Sequence, residues 1–297
     1  MPKHTYVSDV APSTRDVNTV FVALNNWQRG DYKPYIVKST DRGRTFTNIS
    51  GNLPDKHDVW SVIQDHVNGN LLFAGTEFGV FTSLDGGQRW VQLKGGMPVA
   101  QARDMTVQKR ENDLVVGTFG RGFYVLDDYS PLREIATLSE TPPLNEAARL
   151  YPLRDAYIYN QTGMAPAGTA GIGPMSGNWT APNPPYGAVI TYSVNGNFGD
   201  DKLVLTIADD QGKQVRRLDL DKSPGLRRIA WNLRGEAPPP NPADQGRGGF
   251  GGGRGGANQG PVVAPGRYRA TIGRMAGDKV TPIGQSVSFS VLPIELK

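Results

Sequence analysis

Three carboxylates, Asp31, Asp58 and Glu77, each sit beside a ring: Asp31-Tyr32, His57-Asp58 and Glu77-Phe78. Trp27 and Phe119 add aromatic surface, and Arg29, Arg103 and Arg121 add cations. Two chemistries suit this set. Glycosidic hydrolysis needs two carboxyl groups ~5–5.5 Å apart for retention or ~6.5–9.5 Å apart for inversion. Recognition without reaction needs only aromatic faces and charges converging on a concave surface. A set of solvated loops is the plain third reading of the same residues.

Other chemistries are excluded. The 297 residues include no cysteine, so disulfide frameworks, thiolate metal sites and cysteine nucleophiles are absent. His4, His57 and His66 are too scattered for a close metal-ligand motif. No G-x-S-x-G nucleophile elbow occurs, and the glycine strings that resemble G-x-G-x-x-G neither follow a strand nor open a helix. We therefore expect neither cofactor nor metal. The net charge of +4 falls entirely in residues 131–297 and is too mild to indicate nucleic acid. The tract Gly246–Gly256 looks like an RNA-binding Arg-Gly box, but it holds only Arg247, Arg254 and Phe250, against the richer stacking platforms of such proteins. It interrupts a series of strands and reads as a flexible insertion. No apolar run reaches the ~18 residues of a membrane span, and Met1–Val10 has no signal-peptide core. The expectation is a soluble chain without an export address.

The elements that must position these residues are strands. No amphipathic helical stretch extends over three turns; the best short candidate is Pro143–Leu150. Short runs rich in Val, Ile, Phe, Tyr and Thr recur between Gly, Asn and Asp, so the chain is all-β. Residues 1–130 repeat. Ser39–Phe46 matches Ser83–Trp90 at a spacing of 44, and Gly75–Phe81 matches Gly117–Tyr124 at 42. A period of ~40–50 with four strands per unit is the signature of propeller blades. The predicted strands are Tyr6–Val10, Thr19–Leu24, Tyr35–Ser39 and Phe46–Ile49 in the first blade. The second has Val59–Gln64, Leu71–Gly75, Val80–Leu84 and Trp90–Leu93. The third has Arg103–Gln108, Leu114–Thr118, Gly122–Leu126 and a weaker Leu132–Ile135.

The pattern S-x-D-x-G-x-[TR]-[FW], carried by Ser39, Asp41, Gly43, Phe46 and by Ser83, Asp85, Gly87, Trp90, resembles the Asp-box of BNR-repeat, sialidase-like and sortilin-type (VPS10) propellers. Gly75–Val80, Lys109–Leu114 and Gly117–Tyr129 resemble the C-terminal blades of large bacterial proteins of glycosyl hydrolase or sortilin-like type. Residues 131–150, with Pro131, Pro142 and Pro143, read as a linker. Beyond it, seven strands are predicted: Ala156–Tyr159, Ala188–Val194, Lys202–Asp209, Gln214–Leu220, Gly225–Asn232, Gly266–Ile272 and Gln285–Val291. They argue for a β-sandwich over 151–297, with Gly/Pro-rich loops at 161–185 and 236–262. Ile229–Arg234 and Pro265–Tyr268 resemble a FlgD-like immunoglobulin-type domain.

Three blades leave two bare edges, whereas closed propellers have about 4–8 blades. The expected partners are therefore further N-terminal blades of the same protein, the alternative being dimerisation into a ring. The resemblance implies an extracellular or periplasmic parent. Asp41 and Asp85 read as structural, bonding their own hairpins, with the aromatic packed between blades. The opposite face offers ligand-binding candidates Trp27, Tyr32, His57, Asp58, Glu77, Phe78, Phe119 and Arg121. A binding or scaffold module for glycan or peptide is the first functional reading. A glycoside hydrolase of the sialidase- or xyloglucanase-like propeller type that the resemblance implies, with its centre mostly on other blades or at Glu77 and its neighbours, is the second.

Overall fold

The computed structural model describes residues 4–139, 146–159, 184–237 and 260–294. The chain divides into two compact units, Met1–Pro143 and Leu144–Lys297. The central parts of the two Gly/Pro-rich stretches, including the Arg-Gly tract, lie outside the described residues. At one described end, Val262 forms a β-bridge with Arg234.

The first unit is a series of small antiparallel sheets, the build of propeller blades. The first sheet runs β1 (Tyr6–Pro12), β2 (Val20–Asn26), β3 (Asp31–Ser39), β4 (Thr47–Asn48) in that order. The second runs β5 (Val59–Gln64), β6 (Leu72–Thr76), β7 (Gly79–Ser83), β8 (Trp90–Gln92). The third has three strands, β9 (Ala102–Gln108), β10 (Asp113–Thr118) and β11 (Phe123–Leu126). Alternation of side chains across each strand explains the packing. Leu72 and Ala74 join Phe21, Ala23, Ile36 and Trp90 in the core between the first two sheets. Leu71 and Phe73 join Ala102, Met105, Leu114 and Val116 in the core between the second and third. The continuous apolar run Leu71–Ala74 is thus the mark of a strand covered on both sides. Gly75 belongs to the same logic, because a Cβ there would strike Ser61 Oγ and the Ala102 carbonyl.

Two expectations need correction here. The fourth strand expected at Leu132–Ile135 is instead part of helix α1 (Pro131–Ser139), and the linker expected over 131–150 holds this helix and a strand. Pro131 occupies the first helical position, where the missing N–H costs nothing, and Glu134 lies in the first turn, where the helix dipole favours an acid. Ala136 is buried and Leu132 packs on the third sheet's core. Arg133 fixes the helix. Its guanidinium donates to both oxygens of fully buried Asp65, at 2.8 and 2.7 Å, and to Asn112 at 2.9 Å. The Tyr129 hydroxyl donates to Asp65 at 2.6 Å. β10 is covered on one face only, since Val115 and Gly117 stay half-buried.

The second unit is a two-sheet sandwich. One sheet is β12 (Ala148–Leu150), β14 (Ala188–Val194), β17 (Gly225–Trp231). The other is β13 (Ala156–Ile158), β19 (Lys279–Pro293), β18 (Gly266–Ala276), β15 (Lys202–Asp209), β16 (Gln214–Leu220). Ile190, Tyr192 and Trp231 meet Leu203, Leu205, Ile207, Ile272 and Phe289 in one core. The helical candidate Pro143–Leu150 contains β12 instead. The last two predicted strands run on into a hairpin, with Ala276 paired to Lys279 across Gly277-Asp278; Gly277 takes the positive φ of 58° that the turn needs.

Candidate ligand-binding site

The two matching octapeptides build the same turn between a third and a fourth strand. Ser39 Oγ donates to Asp41 Oδ1 at 2.7 Å and accepts from Gly43 N at 2.8 Å. Asp41 Oδ1 also accepts from the Arg44 and Thr45 amides. Ser83, Asp85, Gly87, Gln88 and Arg89 repeat the pattern: Ser83 Oγ to Asp85 Oδ1 at 2.8 Å, Gly87 N to Ser83 Oγ at 2.8 Å, then two amides to Asp85 Oδ1. The hydrogen bonds with Thr45, above all, hold the Asp41 carboxyl down at about 2. Trp90 is buried between the first two sheets and its indole donates to the Ile49 carbonyl. Phe46 is not packed in this way: it is 46% exposed. No described sheet precedes the first one to cover it.

At the other end of the sheets, the β2–β3 and β6–β7 turns and the connectors between sheets enclose a cleft of about 560 Å³. Trp27, Tyr32, Asp58, Glu77, Phe78 and Arg103 line it, joined by Lys56, Trp60 and Gln101. Trp27 is presented by a short 3-10 turn, Trp27–Arg29, closed by Gly30 at a φ of 77°. Glu77 and Phe78 are the two central residues of a hairpin. There Thr76 Oγ1 donates to the Gly79 carbonyl at 2.8 Å, and Gly79 adopts a φ of 110°. The Glu77 amide donates to the Asp58 carbonyl at 3.0 Å, which ties this hairpin to the entrance of β5.

The polar groups of the cleft form one ladder and one outlier. Arg103 lies over the Trp60 ring, its guanidinium carbon 3.7 Å from the ring centre, and donates to Gln101 Oε1 at 2.7 Å. The Gln101 amide and the Trp60 indole both donate to Glu77 Oε2, the latter at 3.0 Å. Glu77 is therefore a fixed acceptor. Asp58 stands outside this ladder. It is 3% exposed, and its buried Oδ1 has no hydrogen-bond partner among the described residues. Burial first, then the charges of Glu77 and Asp31, pushes its carboxyl up to about 6. Asp31 behaves oppositely. Burial raises it, but hydrogen bonds from Tyr35, the Lys33 amide and Asn26 prevail and hold it below the usual carboxylate range.

Several candidates lie outside the lining. The His57 ring packs edge-on against Phe78 and Phe81, 5.1 and 5.5 Å between centres, and supports the wall from behind. Phe119 and Arg121 occupy the turn of the third sheet that corresponds to Glu77-Phe78. Phe119 is 70% exposed and lies under Arg103 at 5.5 Å. Arg29 and Asp31 are neighbours of the cleft, not part of its surface. Three lining residues escaped the sequence reading. Trp60 is a strand residue that reads as core, Lys56 is an ordinary loop charge, and Gln101 precedes a strand without any motif.

No family model and no curated relative matches the chain. Among solved structures it is similar to a GH74 enzyme of Niastella koreensis, at 20% identity and a TM-score of 0.35. That match covers 41% of this chain and 21% of the enzyme. It is also similar to PorZ, a surface component of the type-IX secretion system of Porphyromonas gingivalis, at 14% identity and a TM-score of 0.34, covering 96% and 30% of the two chains. A GH74 xyloglucanase from Xanthomonas campestris gives 13% identity, a TM-score of 0.34 and coverage of 93% and 38%. The matched part is well under two thirds of each of these proteins.

Proposed function

We propose that the cleft of the propeller unit binds a glycan, as a recognition module rather than a catalytic one. The supporting observation is the pairing of exposed ring faces, Trp27, Tyr32 and Phe78, with planar polar groups held rigid by the Arg103–Gln101–Glu77–Trp60 ladder. Flat apolar platforms suit the C–H faces of sugar rings, and fixed acceptors and donors suit their hydroxyls. Glu77 is spent on orientation, its Oε2 already accepting two bonds. The Asp-box, sortilin-like and FlgD-like resemblances, an extracellular setting and further blades from a longer polypeptide are part of the same proposal. The repeated Ser-Asp-Gly turn supports the first of these.

Calorimetric titration with β-glucan, xyloglucan and sialoside oligosaccharides tests the reading, with reducing-sugar release followed in parallel. We expect binding to at least one glycan without turnover, and its loss in Trp27→Ala and Tyr32→Ala. A hydrolytic reading is favoured by one observation: Asp58, with a raised carboxyl, shares the cleft with the hydrogen-bonded Glu77. Turnover that Glu77→Gln abolishes would replace the binding reading with that one.

A further inference from the structure

We propose that the glycan carries a free amino group, and that Asp58 receives its ammonium in the cleft walled by Trp27, Tyr32 and Phe78; this rests on the glycan reading above. The starting point is the orphaned Asp58 Oδ1. A buried carboxylate oxygen without a donor is costly, whereas two acceptors of the neighbouring ladder are supplied from within the protein. Glu77 Oε2 takes the Trp60 and Gln101 donors, and Gln101 Oε1 takes Arg103. Asp58 lines the cleft, so its carboxyl is the group there whose donor a ligand can bring.

Charge selects the kind of donor. The groups around Asp58 come from four elements. Lys56 and His57 precede it on its own connector, Asp31 opens β3, Glu77 sits in the β6–β7 hairpin, and Arg103 is on β9. Asp31 and Glu77 are negative and act on Asp58 through space. Arg103 is committed to the Trp60 face and to Gln101. No ion pair joins Asp58 to Lys56 or Arg103 among the described residues, and His57 is turned to Phe78, Phe81 and the Asp55 carbonyl. The local field at Asp58 is thus uncompensated and negative. A neutral hydroxyl would meet the hydrogen bond and leave the field. An ammonium meets both, and aromatic walls attract it further through their ring quadrupoles. An N-acetylated sugar removes the charge and adds bulk at the same atom.

The test uses three β-1,4-linked oligomers of equal length that differ only at C2 of each ring. They are cello-oligosaccharide with a hydroxyl, glucosamine oligomer with an ammonium, and N-acetylglucosamine oligomer with an amide. Titrated against the full chain near neutral pH, the glucosamine oligomer is expected to bind about ten- to a hundredfold more tightly than the other two, the range of one charged hydrogen bond. Asp58→Asn should abolish that preference for the glucosamine oligomer. Its melting curve guards against misfolding, and the wild-type comparison stands without it. A second readout is independent of affinity. Near pH 6, where the empty Asp58 is half-protonated, binding of the ammonium should release protons, seen as a dependence of the binding heat on the buffer's ionisation enthalpy. Equal affinity for all three oligomers would overturn the amine assignment and leave the glycan reading intact. Failure of every glycan, with or without binding of an oligolysine peptide, would overturn both.

Discussion

Asp58→Asn should stabilise the propeller unit at neutral pH, and the gain should vanish in acid. The raised carboxyl, about 6 against an ordinary carboxylate, means that the folded protein holds this proton more tightly than the unfolded chain does. The sign follows from that. The contribution of Asp58 to stability is fully present below about pH 4, the unfolded value, and is lost as pH rises through about 6. Two powers of ten in proton affinity correspond to a loss of about 3 kcal/mol above that pH. Asparagine keeps the shape and carries no charge. Its buried amide still lacks a full set of partners, which takes back about 1 kcal/mol. The expected net gain is therefore about 2 kcal/mol at pH 7.5, shrinking to nothing or reversing by pH 4. Urea unfolding of wild type and variant across this range, followed by fluorescence, gives the difference directly, and the titration of groups that do not interact with Asp58 cancels in it. A difference that stays flat with pH, or a wild type more stable than the variant above pH 6, would refute both the raised carboxyl and its assignment to a ligand-binding role.

Arg133→Met should cost about 3–5 kcal/mol at neutral pH, because it leaves Asp65 charged and buried, read as a fall in the urea midpoint with α1 amides losing exchange protection. Burial raises the Asp65 carboxyl, but the bonds from Arg133, Tyr129 and the Asn68 amide prevail and hold it low. The stability it confers is therefore present above the unfolded carboxylate value and is lost as pH falls through the lower folded one. Ser83→Ala should cost about 1–3 kcal/mol in denaturation, since it strips the buried Gly87 amide of its acceptor. Gly87→Ala should lower the melting temperature more visibly than Gly95→Ala. Both have φ above 90°, but only the Gly87 Cβ would meet Ile49, at 2.8 Å. Val125→Lys should reduce any concentration-dependent self-association seen by light scattering, since among the described residues no strand covers the β11 edge and Phe123 and Val125 are 79% and 52% exposed.

Most of the strands were legible because their boundaries are local. β5, β14, β15 and β16 have the predicted limits, each followed by an Asp or Asn, namely Asp65, Asn195, Asp210 and Asp221. Helix α1 was not, although Ser130-Pro131 and Glu134 are start signals. Leu132–Ile135 is too short an apolar run to distinguish a helix from a strand, and the repeat called for a strand at that place. What decides the matter is Asp65, 68 residues away in sequence from the Arg133 it binds. β12 was hidden for the same reason: its three residues become a strand by pairing with the end of β14, Ala148 with Val194 and Leu150 with Tyr192.

The site was legible to the extent that it follows the repeat. Once Gly75–Phe81 and Gly117–Tyr124 are aligned, the residues between the second and third strands must share one end of their sheets, and Glu77 and Phe78 are placed there by the alignment alone. Trp27 and Tyr32 follow from the equivalent turn of the first sheet. Trp60 could not be found in this way, because Val59–Gln64 alternates as a buried strand does and a tryptophan in it reads as core. Yet Trp60 is what fixes Glu77, and Arg103 on its far side fixes Gln101. The repeat thus specifies which turns face the cleft, while the contacts that hold Glu77 and leave Asp58 Oδ1 without a partner arise between sheets. The contrast between Glu77 and Asp58 is of that second kind. Both are acids at the same end of the second sheet, nineteen residues apart in sequence. One is satisfied by an indole and an amide. The other is left with a buried oxygen that has no donor among the described residues, and with the charges of Glu77 and Asp31 acting on it.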